Sequence, residues 1–286
     1  MPKIVFRETL APKTHRFRVE APLIARKRKA GQFVILFVED SAERLPLTIV
    51  DSDPEAGTID LVFQEVGKST LRLAEMQVGD EIREIAGPLG KPTHIEKRGA
   101  CVVLGGGYGV APVIPIAKAL ADAGNDVIGI NGARSKDLVI LEKELRDICS
   151  EVIICTDDGT YGRPGFVTQA LEEIYNSGRK IDFVLAVGPA PMMRAVANMT
   201  REWGIPTMVS LNPIMIDGTG MCGGCRVEVG GKTKFACVDG PEFDGHLVDF
   251  DLLMARQKYY AGQESEARKM YEEHLACKLD EAGDGR

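Results

Sequence analysis

Three of the seven cysteines crowd into residues 222–237, as Asp217-Gly-Thr-Gly-Met-Cys222-Gly-Gly-Cys225 followed, after eleven intervening residues, by Cys237. Plant-type [2Fe–2S] sites space their ligands Cys-x4-Cys-x2-Cys with a distant fourth cysteine. Asp217 stands at the first position of that pattern and the remaining spacings fit. Several ligands must converge on one small inorganic core, which needs tight loops, and Gly218, Gly220, Gly223 and Gly224 supply the backbone freedom. A carboxylate is anionic like a thiolate but harder, so Asp217 can serve iron while altering its potential. Its alternative role is a turn former in Asp-Gly. Zinc favours paired Cys/His sets; one Cys-x2-Cys, one further cysteine and His246 nine residues beyond match none of them. The odd cysteine count in a chain of cytosolic character argues against a disulfide framework. Cys101, Cys149, Cys155 and Cys277 read as ordinary buried residues.

Two further sets of residues suit phosphate-bearing ligands. Gly105-Gly106-Gly107-Tyr-Gly109-Val110 follows an apolar strand and opens an apolar helix. Such a turn lets a pyrophosphate approach the helix start, although Val110 stands where the dinucleotide fingerprint has its third glycine. Val66-Gly67-Lys68-Ser69-Thr70 precedes the one helix expected in the first third of the chain and offers backbone N–H groups and a helix dipole to an anion. It is not a P-loop, because the required earlier glycine is Val62. Arg44-Leu-Pro46-Leu47-Thr48 sits on a strand, and Gly87-Pro-Leu-Gly90 closes the same region.

The elements that must position these groups fall into three stretches. Residues 1–97 carry six short, alternating segments at 4–9, 16–20, 32–38, 47–50, 58–64 and 81–85, punctuated by Gly and Pro, with a helix at 69–76. That pattern predicts a small antiparallel β-barrel. Residues 98–211 alternate apolar strands with amphipathic helices, the rhythm of an α/β domain with an open parallel sheet whose ligands bind at the strand C-termini. Residues 212–286 begin with a glycine- and cysteine-rich loop and end in a helical tail over about 247–280, amphipathic in its charge pattern.

The order of these motifs resembles the ferredoxin reductase superfamily. With the Asp-x4-Cys-x2-Cys-x11-Cys appendage it is similar to the electron-transfer subunit of dihydroorotate dehydrogenase. It resembles more closely the small subunit of NADH-dependent ferredoxin:NADP⁺ oxidoreductase, over nearly the whole chain. Pro46-Leu47-Thr48-Ile49, Asn212-Pro-Ile-Met-Ile-Asp217-Gly-Thr-Gly-Met-Cys222 and Cys237-Val-Asp-Gly-Pro-Glu-Phe-Asp244 carry the likeness. The resemblance implies FAD in the barrel, with Thr48 near the flavin N5 and Arg44 and Gly67 to Thr70 near the pyrophosphate. It implies that Asp157 and Asp158 meet the adenosine ribose, where a carboxylate favours NAD(H) over a 2′-phosphate. Arg134 points the other way, and the double acid outweighs it. It implies that Gly188-Pro189-Ala-Pro-Met192 is the turn beside the nicotinamide. Two departures stand out: no aromatic stacks from position 47, and Val187 replaces the cysteine many relatives carry before Gly188.

Together these sites predict an oxidoreductase in which FAD joins hydride exchange with NAD(H) to one-electron relay through the cluster. The resemblance implies a heterodimer with a larger flavin/iron–sulfur subunit that performs electron bifurcation, and reaches ferredoxin through that complex. Two alternatives stay open: the dihydroorotate dehydrogenase subunit, and a non-catalytic zinc-binding interaction protein. Lys and Arg number 35 against 42 Asp and Glu, giving a net charge of −7, which argues against nucleic acid or an anionic membrane as partner. No apolar run is long enough to span a bilayer, and the N-terminus lacks a signal-peptide core, so a cytoplasmic location is expected. His15, His94, His246 and His274 are scattered and read as surface or satisfied side chains.

Overall fold

The computed structural model describes residues 1–39 and 43–283, with the side chains of 274–283, among them His274 and Cys277, outside the described set. The first stretch forms β1 (Ile4–Ala11), β2 (Thr14–Glu20), α1 (Pro22–Lys27), β3 (Phe33–Phe37), β4 (Arg44–Asp53), β5 (Thr58–Gln64), α2 (Lys68–Glu75) and β6 (Glu84–Leu89). The six strands pair antiparallel in the order β1-β2-β5-β4-β3-β6. The two ends of that order meet: Lys3 bridges Glu81, and the Ile82 N–H donates to the Pro2 carbonyl over 2.8 Å. The sheet therefore closes into the expected barrel. Phe17, Leu36, Ile49, Leu61 and Phe63 fill it, each from one face of its strand. The helix α1 was not anticipated; Pro22 in its first turn presets the backbone for it. β4 begins at Arg44 and runs to Asp53, beyond the expected 47–50, because its polar end still pairs with β5.

The second stretch forms β7 (Ala100–Gly106), α3 (Val110–Asp122), β8 (Asp126–Ala133), α4 (Glu142–Ile148), β9 (Glu151–Thr156), β10 (Arg163–Pro164), α5 (Val167–Asn176), β11 (Phe183–Val187), α6 (Ala190–Glu202) and β12 (Thr207–Ser210). The last stretch adds β13 (Arg226–Val229), β14 (Lys232–Phe235), α7 (Ala236–Asp239), β15 (Glu242–Asp244), α8 (Phe250–Gln257) and α9 (Ala261–Gly283). The second sheet has the order β10-β9-β8-β7-β11-β12-β15. It is parallel as far as β12, and β15 joins antiparallel. All five residues of β11 are buried, as expected for a strand covered by helices on both faces. β7 lies between β8 and β11, so the chain order reverses at its C-terminal end and leaves a crevice there.

The tail is two helices rather than one. α9 lies against α2, where the Tyr271 hydroxyl sits 3.0 Å from both Glu75 oxygens. Among the described residues no helix is long and apolar enough to cross a membrane.

Candidate functional site

A cavity of about 960 Å³ opens at the crevice beyond β7, between the barrel and the parallel sheet. The barrel contributes Phe33, Pro46, Thr48 and Gln64; the glycine turn contributes Gly106 to Gly109. Gly188, Pro189 and Met192 face it from the start of α6, and Arg134 and Asp157 from the ends of β8 and β9. Residues 210–213, Met215 and Pro241 complete one wall. Its size is that of a cofactor or ligand cleft.

The three glycines of the turn are needed for different reasons. A methyl group on Gly109 would lie 2.2 Å from the Val187 carbonyl oxygen, and one on Gly106 2.4 Å from Met192 Sδ. Both positions are close approaches between β7, β11 and α6. Gly107 has φ +56° and open space in front of it, the backbone shape and room an anion needs. Val110, at the third-glycine position, is fully buried in the core beneath the turn instead.

The two acids separate. Asp157 lines the cavity beside Arg134. Asp158 turns back into its own loop: it accepts the Thr160 hydroxyl over 2.7 Å and the Thr160 N–H over 3.0 Å, which holds its carboxyl below the usual range.

The start of α2 is a second locus that does not line the cavity. Thr70 Oγ1 accepts the N–H groups of Val66 and Gly67 over 2.9 and 3.0 Å and donates to the Gly67 carbonyl. The Ser69 hydroxyl is buried and donates to Glu43. The first backbone N–H groups of the helix, from Lys68 onward, have no carbonyl within the helix to bond and suit an anion. Arg44 lies outside the cavity with its guanidinium 5.8 Å from the Phe37 ring. Leu47 is buried in the barrel core, and a methyl on Gly87 would press 2.7 Å from Val34 Cγ1.

In the cysteine segment, Cys225 Sγ and Cys237 Sγ lie 3.2 Å apart and both residues are buried. Cys222 is exposed, and its sulfur accepts the Gly224 N–H over 3.4 Å. Asp217 uses one carboxylate oxygen to accept the Thr219 N–H (2.9 Å) and the other to accept the Cys222 N–H (2.8 Å). These bonds hold its carboxyl below the usual range. The turn role proposed as an alternative is thus the contact Asp217 makes within this loop. Gly218, Gly220 and Gly223 all have positive φ. A methyl on Gly218 would lie 2.7 Å from Ile35 and Leu89, so the loop is pressed onto the barrel. Among the described residues no three His, Cys, Asp or Glu side chains already converge as a metal site. The donor set of one loop, three thiols, two of them already paired, and a carboxylate, fits an iron–sulfur cluster and lacks a histidine partner for zinc. His246 instead bonds the Thr200 hydroxyl at 3.0 Å. Burial pushes the Cys101 and Cys149 thiols up to about 11 and about 12, the behaviour of inert core residues.

Phe33, Gln64, Tyr108, Met215 and Pro241 line the cavity without having been singled out in the sequence. No local pattern marks Phe33 or Gln64, which reach it as barrel strand residues. Pro241 and Met215 lay inside stretches noted only for their family likeness.

A closed antiparallel barrel, a parallel sheet with a glycine turn at its reversal point and a thiol loop define an oxidoreductase of the ferredoxin reductase-like class. The ferredoxin NADP⁺ reductase of Neisseria gonorrhoeae shares the fold, with a TM-score of 0.56 at 18% identity over 71% of this chain and 90% of that one. Residues 103–198 match the oxidoreductase NAD-binding domain, and residues 212–249 match the iron–sulfur cluster binding domain of dihydroorotate dehydrogenase B. The chain belongs to the family of dihydroorotate dehydrogenase B electron-transfer subunits and their homologues. The homologue from Thermotoga maritima is 45% identical over 262 residues, 92% of each chain. The electron-transfer subunit of Geobacillus thermodenitrificans is 33% identical, covering 84% of this chain and 94% of its own. A chain of the NADH-dependent reduced ferredoxin–NADP oxidoreductase, solved in a study of flavin-based electron bifurcation, superposes with a TM-score of 0.90 at 43% identity, over 96% of this chain and 98% of that one.

Proposed function

We propose that this chain is the electron-transfer subunit of a cytoplasmic, electron-bifurcating NADH-dependent ferredoxin:NADP⁺ oxidoreductase. It exchanges hydride between NAD(H) and FAD and relays single electrons through a [2Fe–2S] cluster to a larger flavin/iron–sulfur subunit. When bound, FAD takes two electrons as hydride and releases them singly, while the cluster carries one at a time. The observation that carries this reading is the single cavity in which Thr48 of the barrel meets the Gly106–Gly109 turn and the Gly188–Met192 turn.

The chain's own residues hold and orient. Gly107 and the α3 start receive the dinucleotide pyrophosphate, and Asp157 accepts the ribose hydroxyls and repels a 2′-phosphate. Pro189 and Met192 shape the nicotinamide end, with Val187 behind them offering no thiol. Thr48 presents a hydroxyl to the reacting ring from the barrel side. The α2 start and Lys68 hold the flavin pyrophosphate. Cys222, Cys225, Cys237 and Asp217 ligate the cluster.

The similarity over 96% of the chain to the ferredoxin–NADP oxidoreductase structure favours this complex over the dihydroorotate dehydrogenase assembly. The test is purification of the chain with its native partner under anaerobic conditions. Flavin, iron and acid-labile sulfide should co-elute, and NADH should bleach the flavin absorbance. Bound zinc without flavin or labile sulfide would overturn the electron-transfer reading. A dihydroorotate dehydrogenase catalytic chain as the co-purifying partner would replace the first complex by the second.

A further inference from the structure

Glu242 begins β15, five residues beyond Cys237, and pairs across the sheet with Ser210 of β12. Its Oε2 accepts the Thr93 hydroxyl over 2.8 Å, a contact between residues 149 apart in the chain. Its Oε1 is buried and has no hydrogen-bond partner. Gly31, at φ +81°, lies directly over the pair. A methyl there would fall 2.1 Å from the Thr93 hydroxyl and 2.8 Å from both carboxyl oxygens.

Three stretches converge on this carboxyl. The segment entering β3 is tied to the segment leaving β6, with the Thr93 N–H donating to the Ala30 carbonyl over 2.9 Å and the Gln32 side-chain amide to the Gly90 carbonyl over 2.9 Å. The segment after the last cluster cysteine is tied to the same place, with the Lys91 N–H donating to the Gly240 carbonyl over 2.6 Å. Immediately beside the junction, Phe33, Leu211 and Pro241 line the cofactor cavity. An ionised carboxylate with one unmatched buried oxygen is costly, whereas a neutral acid is tolerated. Burial accordingly pushes the Glu242 carboxyl up to about 7, opposed only by the Thr93 hydroxyl. Of the charged groups in these stretches, Lys91 pairs with Asp239 at 3.8 Å, His94 with Glu96 at 3.4 Å and Arg28 with Asp51 at 3.1 Å.

We infer that Glu242, bonded by Thr93, is a positioning residue for the flavin-to-cluster electron step. It pins the cluster-bearing segment to the barrel beside the cavity and so fixes the gap the electron crosses. In that step one electron leaves the reduced flavin and converts one ferric iron of the cluster to ferrous. The inference rests on the electron-transfer reading above, and its test separates the two.

The experiment uses the whole chain with its partner and cofactors, mixed with NADH in a stopped-flow spectrophotometer that follows flavin bleaching and cluster bleaching separately. In Glu242→Ala, cluster reduction should slow several-fold, with flavin bleaching and the KM for NADH unchanged. Glu242→Gln, a neutral isostere, should restore the wild-type rate. It should also remove a decline of cluster reduction above pH 7 that the wild type shows. Thr93→Val removes only the hydroxyl and provides the same reading should the alanine variant fold poorly. Full flavin and iron content with wild-type relay in both Glu242→Ala and Thr93→Val would overturn the inference, as would failure of Gln to rescue. A wild-type complex lacking flavin or cluster overturns the functional reading instead.

Discussion

The sulfurs of Cys225 and Cys237 touch at 3.2 Å without being bonded, although eleven residues lie between them. On the proposed ligation, two buried thiols held this close would supply half of the cluster's ligand shell. Cluster removal followed by mild oxidation should close them into a disulfide, which requires a shift of only about 1 Å. Thiol titration should then lose two groups relative to the reduced, cluster-free protein. Cys237→Ser should lose most of the cluster iron while keeping FAD.

Asp217 organises the cysteine loop through its bonds to Thr219 and Cys222. Asp217→Asn keeps one oxygen for the turn but forfeits the anionic donor. If the carboxylate also ligates iron, the cluster's EPR spectrum and midpoint potential should shift in Asn and shift further, with iron loss, in Ala. Unchanged spectrum and potential in Asn would restrict Asp217 to the turn.

Gly109 and Gly107 should respond oppositely to alanine. Gly109→Ala forces a methyl onto the Val187 carbonyl oxygen, an overpacking that costs about 1–3 kcal/mol, read as a fall in unfolding midpoint. Gly107→Ala meets open space and bears only the penalty of positive φ, about 1 kcal/mol. Its larger effect should be a raised KM for NADH, since the new methyl stands where the phosphate would approach.

Asp157 faces the cavity, whereas Asp158 is held by Thr160. Asp157→Ser should therefore narrow the preference for NADH over NADPH, by roughly five- to thirtyfold in kcat/KM if a like-charge repulsion of about 1–2 kcal/mol is removed. Asp158→Ser should leave the ratio unchanged and loosen only the loop. Equal ratios in both variants would dismiss Asp157 as the discriminating acid.

Glu242 links stability to pH. The carboxyl titrates near its ordinary 4.5 in the unfolded chain and near 7 in the folded one. The folded chain thus holds the extra proton between these values, and stability falls as pH rises through that window, by up to about 3 kcal/mol. Urea unfolding of wild type and Glu242→Gln at pH 5 and pH 8 should show the decline in wild type alone.

Some of this molecule is legible in its residue order because the governing interactions are local. The six barrel strands alternate by residue type, the βα units follow apolar period, and the loop from Asp217 to Cys225 brings its donors within a few bonds of each other. Spacing also marks the glycine turn, since a strand feeding a helix through Gly106 to Gly109 can only present its backbone there. The rest depends on which distant segments pack together. No spacing reveals that Phe33 and Gln64 face the cavity, that Asp157 rather than Asp158 does so, or that β15 leaves the cysteine segment to edge the parallel sheet. Thr93 and Glu242 carry no mutual signal in the sequence. Their meeting is decided by barrel closure and by β15 docking on β12, which bury the carboxyl and thereby raise its affinity for a proton.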